Sequence, residues 1–114
     1  MSNTPRLALP YLSTAQAQKE LAHNAALNQL DVMTQPVVQA QQNDPPSTPE
    51  NGQAWIVGDV PTGAWATHAK AIAYYLDGWF FYPAFEGMGF FNIATSKDQK
   101  YLSGVWKTST ATYA

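Results

Sequence analysis

The sequence predicts an α+β fold: an extended arm and one long helix at the N-terminus, then a small antiparallel β-domain made of hairpins. Three observations carry this reading. Residues 14–35 contain nothing that interrupts a helix and are closed by Pro36. From Gly52 onward the apolar residues fall in short aromatic and β-branched runs with a period of two. Two of those runs meet at Asp77-Gly78, the strongest short hairpin signal.

Each element follows in order. Pro5 and Pro10 forbid helix in residues 1–12, while Leu7, Leu9, Tyr11 and Leu12 give that arm something to dock. Ser13 with Gln16 three positions later fits a capping box, in which each side chain bonds an orphan backbone N–H. The helix stripe reads Ala15, Ala22, Ala26, Leu30, Met33 and Val37, flanked by Ala25 and Leu27. Such a helix spans roughly 30 Å. Residues 39–51 hold Pro45, Pro46 and Pro49 among polar residues and read as an extended linker between an N-terminal segment, 1–38, and the β-domain, 52–114.

Within the β-domain, residues 53–58 are a first strand, 71–76 and 79–82 flank Asp77-Gly78, 88–93 form another strand, and 99–102 and 105–108 flank Ser103-Gly104. A two-residue turn at 77–78 sets Leu76 opposite Trp79 and Tyr75 opposite Phe80. Tyr74, Leu76, Trp79 and Phe81 then share one face and Tyr75, Phe80 and Tyr82 the other. Neither face is polar, so the hairpin needs cover on both sides. A faint repeat is also visible: residues 50–56 echo 86–91, and Tyr75-Leu76-Asp77-Gly78-Trp79 echoes Tyr101-Leu102-Ser103-Gly104-Val105-Trp106.

Composition narrows the function. The chain has 114 residues, 46% of them hydrophobic but only 12% charged, and a net charge of -2. That balance argues against a nucleic-acid footprint or a polybasic membrane patch. With no cysteine there is no disulfide, thiolate metal site or cysteine nucleophile. No apolar run is long enough to cross a bilayer, and the N-terminus lacks a signal-peptide pattern, so the protein is expected to be made in the cytoplasm and to leave it only with an assembly. No nucleophile elbow, phosphate loop, dinucleotide fingerprint or zinc-protease helix is present. His23 and His68 are far apart, and a metal needs three or four ligands. Most of the acids sit where turns want them: Asp77 in its hairpin, Asp59 after Gly58, and Glu50 and Glu86 shortly before glycines. No catalytic residue, metal or cofactor is therefore expected.

The aromatics, 13% of the chain, are the remaining candidates. Trp65, Tyr75, Trp79, Tyr82 and Trp106 can fill a core, line a subunit seam or stack on sugar rings. On the helix, Asn24, Leu27 and Asn28 beside small alanines suit a close helix contact joined by amide hydrogen bonds.

Read together, Asn3-Thr4-Pro5-Arg6-Leu7, Leu9-Pro10-Tyr11, Gln16-Ala17-Gln18-Lys19, His23-Asn24, Ala26-Leu27 and Leu30-Asp31 resemble the start of family 2793 of the domains of unknown function. Gly52, Trp55-Ile56-Val57-Gly58, Thr62-Gly63-Ala64-Trp65, Ile72-Ala73, Asp77-Gly78-Trp79 and Glu86-Gly87 continue that pattern, so that the resemblance covers roughly residues 3–90. Ala25 and Phe85 depart from it, where an acidic and a basic residue are expected. The resemblance implies a protein of tailed phages, prophages or gene-transfer particles with no enzymatic activity. The expected function is a structural virion module, the N-terminal domain of a tail fibre or a small tail-tip protein, located in the phage tail and partnered by other tail proteins. Two apolar hairpin faces point to a homo-oligomer, and the resemblance to fibre proteins favours a trimer. The alternative is a carbohydrate-binding module that meets host surface glycans through exposed Trp and Tyr; coplanar exposed rings would mark it.

Overall fold

The computed structural model describes residues 3–12 and 18–110, and the chain divides into two compact units between Gln35 and Pro36. Ser13 and Gln16, the expected capping box, lie outside the described residues.

The first unit pairs the arm with helix α1, Gln18–Thr34. The arm is not simply extended. Thr4 and Leu9 close a tight turn, with the Thr4 N–H donating to the Leu9 carbonyl at 2.9 Å and the Ala8 N–H to the Thr4 carbonyl at 3.0 Å. Asn3 and Pro10 form a β-bridge across it. The helix also differs from expectation in the face it buries. Ala22, Ala26 and Leu30 of the expected apolar stripe are exposed, whereas Asp31 and Val32 are buried and Asn24, Leu27 and Asn28 half-buried. The reason is hydrogen bonding. The arm brings donors that need acceptors, and the Asn24–Asn28–Asp31 row, spaced by about one turn, provides them: Asp31 for the Arg6 and Leu7 N–H groups, Asn28 for the Tyr11 hydroxyl and Asn24 for the Leu12 N–H. Val37, read as the last apolar position of the helix, lies beyond it in a strand.

Among its described residues the second unit holds eight strands in two sheets. These are β1 (Val37–Val38), β2 (Gln41–Gln42), β3 (Ala54–Val57), β4 (Ile72–Tyr75), β5 (Trp79–Tyr82), β6 (Gly89–Asn92), β7 (Lys97–Leu102) and β8 (Val105–Thr108). One sheet runs β2-β3-β4-β5 and the other β1-β6-β7-β8. In each, a two-residue strand pairs in parallel with the first strand of a three-stranded antiparallel meander. The stretch expected to be a linker therefore begins as a strand, because Gln41 and Gln42 lie beside Ile56 and Val57. Residues 36–42 serve both sheets. The carbonyls of Pro36 and Val38 accept from Phe91 and Ile93, those of Ala40 and Gln42 accept from Ile56 and Gly58, and the Gln39 N–H donates to Ala54.

The faint repeat corresponds to this shared plan. The Gly52 N–H donates to the Tyr75 carbonyl at 2.8 Å, as Gly87 does to Tyr101. Tyr75 donates to Gln53 as Tyr101 does to Met88. Gly52 (φ 93°) and Gly87 (φ 86°) both adopt the left-handed backbone that glycine tolerates best. The sheets differ chiefly in the first connection of the meander: residues 58–71 in one, the tight turn 93–96 in the other.

The two hairpin turns reverse the expected order of quality. Ser103 (φ 53°) and Gly104 (φ 82°) make the two-residue turn, with Leu102 opposite Val105. At Asp77-Gly78 the pairing is Tyr75 with Trp79, Tyr74 with Phe80, Ala73 with Phe81 and Ile72 with Tyr82. Leu76 joins the connection and donates its N–H to the Gly78 carbonyl at 2.9 Å. This slip by one residue moves one strand's side chains to the opposite face. Tyr75, Trp79 and Phe81 now share a face with Ala73 and Trp55, and Tyr74, Phe80 and Tyr82 share the other with Ile72 and Ile56. The side-chain amide of Asn51 helps to fix the turn, since its Oδ1 accepts from the Asp77 N–H at 2.9 Å and its Nδ2 donates to Asp77 Oδ1 at 3.1 Å.

Both faces are buried toward the middle of the sheet, while Phe80 on the edge strand stays exposed. Trp55, Val57, Trp65 and Ala73 form one cluster, with Ala40, Tyr75, Trp79 and Phe81 packed against it. Its lid is the 58–71 connection, whose short 3-10 turn, Gly63–Trp65, places Trp65 inside with no exposed surface. On the other face Ala54, Ile56, Ile72 and Tyr74 are fully buried. In the second sheet Val38, Phe90, Asn92 and Gln99 are buried. Polar bonds tie the two sheets together: Gln99 Nε2 to Gln41 Oε1 at 2.8 Å, Trp106 Nε1 to the Lys70 carbonyl at 2.8 Å, and Lys70 Nζ to the Gly104 carbonyl at 3.0 Å.

Candidate functional site

Several acids are engaged in local structure. Asp31 is fully buried and accepts from Thr4 Oγ1 at 2.8 Å, from the Arg6 N–H at 2.8 Å and from the Leu7 N–H at 2.6 Å. Asp44 accepts from Thr62 Oγ1 at 2.6 Å, and Glu86 from the Ser103 N–H at 2.9 Å. Among the described residues no group of three or more His, Asp or Glu could hold a metal ion. His23 is exposed on the helix. His68 stacks flat on Phe81, with ring centroids 3.6 Å apart and planes within 2°. The pair borders an open cleft of about 360 Å³ with Lys70, Pro83 and Tyr101.

The candidate aromatics fall into separate places. Trp65, Tyr75 and Trp79 meet in the cluster under the 58–71 connection. Trp65 lies 5.2 Å from Trp79 and 6.2 Å from Trp55, Trp79 lies 5.1 Å from Tyr75, and the planes cross at 49–84°. These rings are edge-to-face core packing. Trp65 is buried and therefore unavailable to stack on a sugar, and its neighbours are tilted, not coplanar. Tyr82 sits on the opposite face, 6.3 Å from Tyr74. Trp106 is in the other sheet, 5.4 Å from Tyr101 and 6.3 Å from Phe90, with its indole N–H donated to Lys70.

The helix candidates form an interface of another kind. Asn24 clamps the arm, its Oδ1 accepting from the Leu12 N–H at 2.9 Å and its Nδ2 donating to the Leu12 carbonyl at 3.3 Å. Asn28 Oδ1 accepts from the Tyr11 hydroxyl. Leu27 lies half-buried between them in sequence. Their amide bonds are made to the chain's own arm. Burial and the neighbouring Asp31 charge hold the Tyr11 hydroxyl pKa above its ordinary value, against the opposing effect of its Asn28 bond.

The described surface also presents large apolar side chains. Leu21 is 68% exposed and Leu30 55% in the first unit; Val60, Phe80, Phe85, Ile93 and Val105 are exposed in the second. Phe80 belongs to an edge strand of four consecutive aromatics, Trp79–Tyr82. Phe80 and Phe81 are among the aromatics the sequence offers as candidates, though not among the five singled out from them. Their signal was the apolar alternation of the hairpin, which names both faces but cannot say which strand lies at an edge. The second sheet adds an open apolar groove of about 380 Å³ over Gly89, Phe91 and Leu102, bordered by Lys100 and Lys107.

A family model described as a protein of unknown function (DUF2793) matches residues 23–107. No curated protein and no solved structure matches the chain.

Proposed function

The chain belongs to the DUF2793 family of proteins of unknown function, and from that premise we propose that it is a structural module of a phage virion, serving assembly or host attachment in the tail. The virion setting is what the sequence resemblance implies. The observation that supports an assembly role is the contrast between interior and surface. The Asn24, Asn28, Asp31, Asp44 and Glu86 side chains are engaged inside the chain, while leucines and aromatics stand outside. Surfaces of that kind serve contact with other proteins. On this reading the module turns nothing over and works beside other tail proteins as part of a homo-oligomer.

Glycan recognition draws less support. It wants flat rings in a row at the surface, and the tryptophans of the first sheet are tilted against one another beneath a lid.

Labelling particles induced from the encoding bacterium with an antibody to this chain tests the proposal. Gold at the tail is expected. Purified, infective particles that carry no trace of the chain by mass spectrometry would overturn it.

A further inference from the structure

A sheet edge invites pairing unless something blunts it, and three of the four edges here are blunted. β1 and β2 are two residues long. β8 carries Lys107. β5 is four residues of Trp, Phe, Phe and Tyr with no charge among them.

The ladder fixes which of its main-chain groups face outward. Tyr75 N–H bonds Gln53 and the Ala71 carbonyl accepts from Val57, so the odd-numbered residues of β4 turn their main-chain groups toward β3. Tyr74 and Ile72 therefore bond β5, through their partners Phe80 and Tyr82. Trp79 and Phe81 are left with both N–H and C=O directed away from the sheet, and neither meets a main-chain partner there among the described residues. Between them stands Phe80, 45% exposed, on the opposite face.

We propose that β5 pairs antiparallel with β5 of a second copy of this chain, across a twofold axis through Phe80. The arrangement is self-complementary. With Phe80 facing Phe80 of the partner copy, Trp79 of each copy lies opposite Phe81 of the other, and the four outward groups of each strand are all satisfied. The central pair is of the non-hydrogen-bonded kind, in which Cα atoms approach to about 4.5 Å and the two rings meet. Shifting the register by two residues would bring Pro83, which has no N–H, opposite Trp79 and leave a carbonyl unpaired. The strand's neutrality removes the like-charge repulsion that guards ordinary edges. The pairing joins two four-stranded sheets into one of eight. It stands on the geometry of the edge alone, and does not depend on the virion reading.

Sedimentation of the full chain over a concentration series tests it, together with Phe80→Lys. This substitution places two like charges on the axis at a half-exposed position. The wild type is expected to reach twice the 12.5 kDa of one chain at high concentration. Phe80→Lys should keep the same circular dichroism and raise the dissociation constant by roughly tenfold or more. Hydrogen exchange on the wild type needs no variant: the Trp79 and Phe81 amides should gain protection with concentration while the Phe80 amide, already bonded to β4, changes little. A monomer at the highest concentration, a threefold mass, a dimer unmoved by a folded Phe80→Lys, or no concentration dependence at those two amides would each overturn the pairing.

Discussion

Three donors from the arm converge on the carboxylate of Asp31, and the helix side chains Asn28 and Asn24 hold Tyr11 and Leu12 of the arm in turn. Removing a buried acceptor strands every donor that used it, which costs more than the bonds are worth when intact. Asp31→Ala is therefore expected to destabilise the protein by about 3 kcal/mol, and Asp31→Asn by less because one oxygen acceptor remains. Urea unfolding followed at the helix signal reads both. Tyr11 adds a pH dependence. Its folded pKa is raised above 10.0, by burial first and the Asp31 charge second. The stability this contributes is fully present below the unfolded value and is lost as pH rises through the folded one. Stability of the wild type should thus fall on the alkaline side of that value, and Tyr11→Phe should flatten that fall. An unchanged alkaline limb in Tyr11→Phe would refute the assignment.

At the scale of elements, the 58–71 connection acts as a lid because of one side chain. Trp65 fills the space above Trp55 and Trp79, yet its indole N–H has no hydrogen-bond partner among the described residues. Two opposed effects can be separated by size and polarity. Trp65→Ala leaves a cavity and should cost about 4 kcal/mol. Trp65→Phe keeps most of the ring and removes the stranded donor, so its cost should be much smaller. Chemical denaturation with an unchanged m-value checks both.

Element type was largely legible in the sequence: Pro36 marks the helix end, the apolar runs mark the strands, and Ser103-Gly104 marks a turn that forms as its residues suggest. Register was less legible. Asp77-Gly78 is the stronger turn signal, but Asn51, twenty-six positions upstream, bonds Asp77 and Leu76 joins the loop. Short-range turn chemistry cannot contain a contact that distant. The buried face of the helix was misread for a related reason. Hydrophobic periodicity detects apolar burial, and this face is recruited by hydrogen-bond demand from another segment.

At the scale of the whole molecule, the two sheets share a plan whose traces are the Gly52/Gly87 and Tyr75/Tyr101 correspondences, while the parallel two-residue strands left no trace of their own. Val37-Val38 and Gln41-Gln42 are too short to carry a period, and they read as a helix tail and a linker. Their position nonetheless has a mechanical consequence. Residues 36–42 are the first part of the second unit met by a pull transmitted from the N-terminal side. Main-chain bonds to Phe91, Ile93, Ile56, Gly58 and Ala54 hold that stretch, and they are divided between the two sheets. Strands running side by side and loaded along their length must break such bonds together, whereas a hairpin opened at its end loses them one at a time. Tension on this chain would meet a clasp at its point of entry, and the sheets behind it would stay closed until both halves of the clasp had slipped.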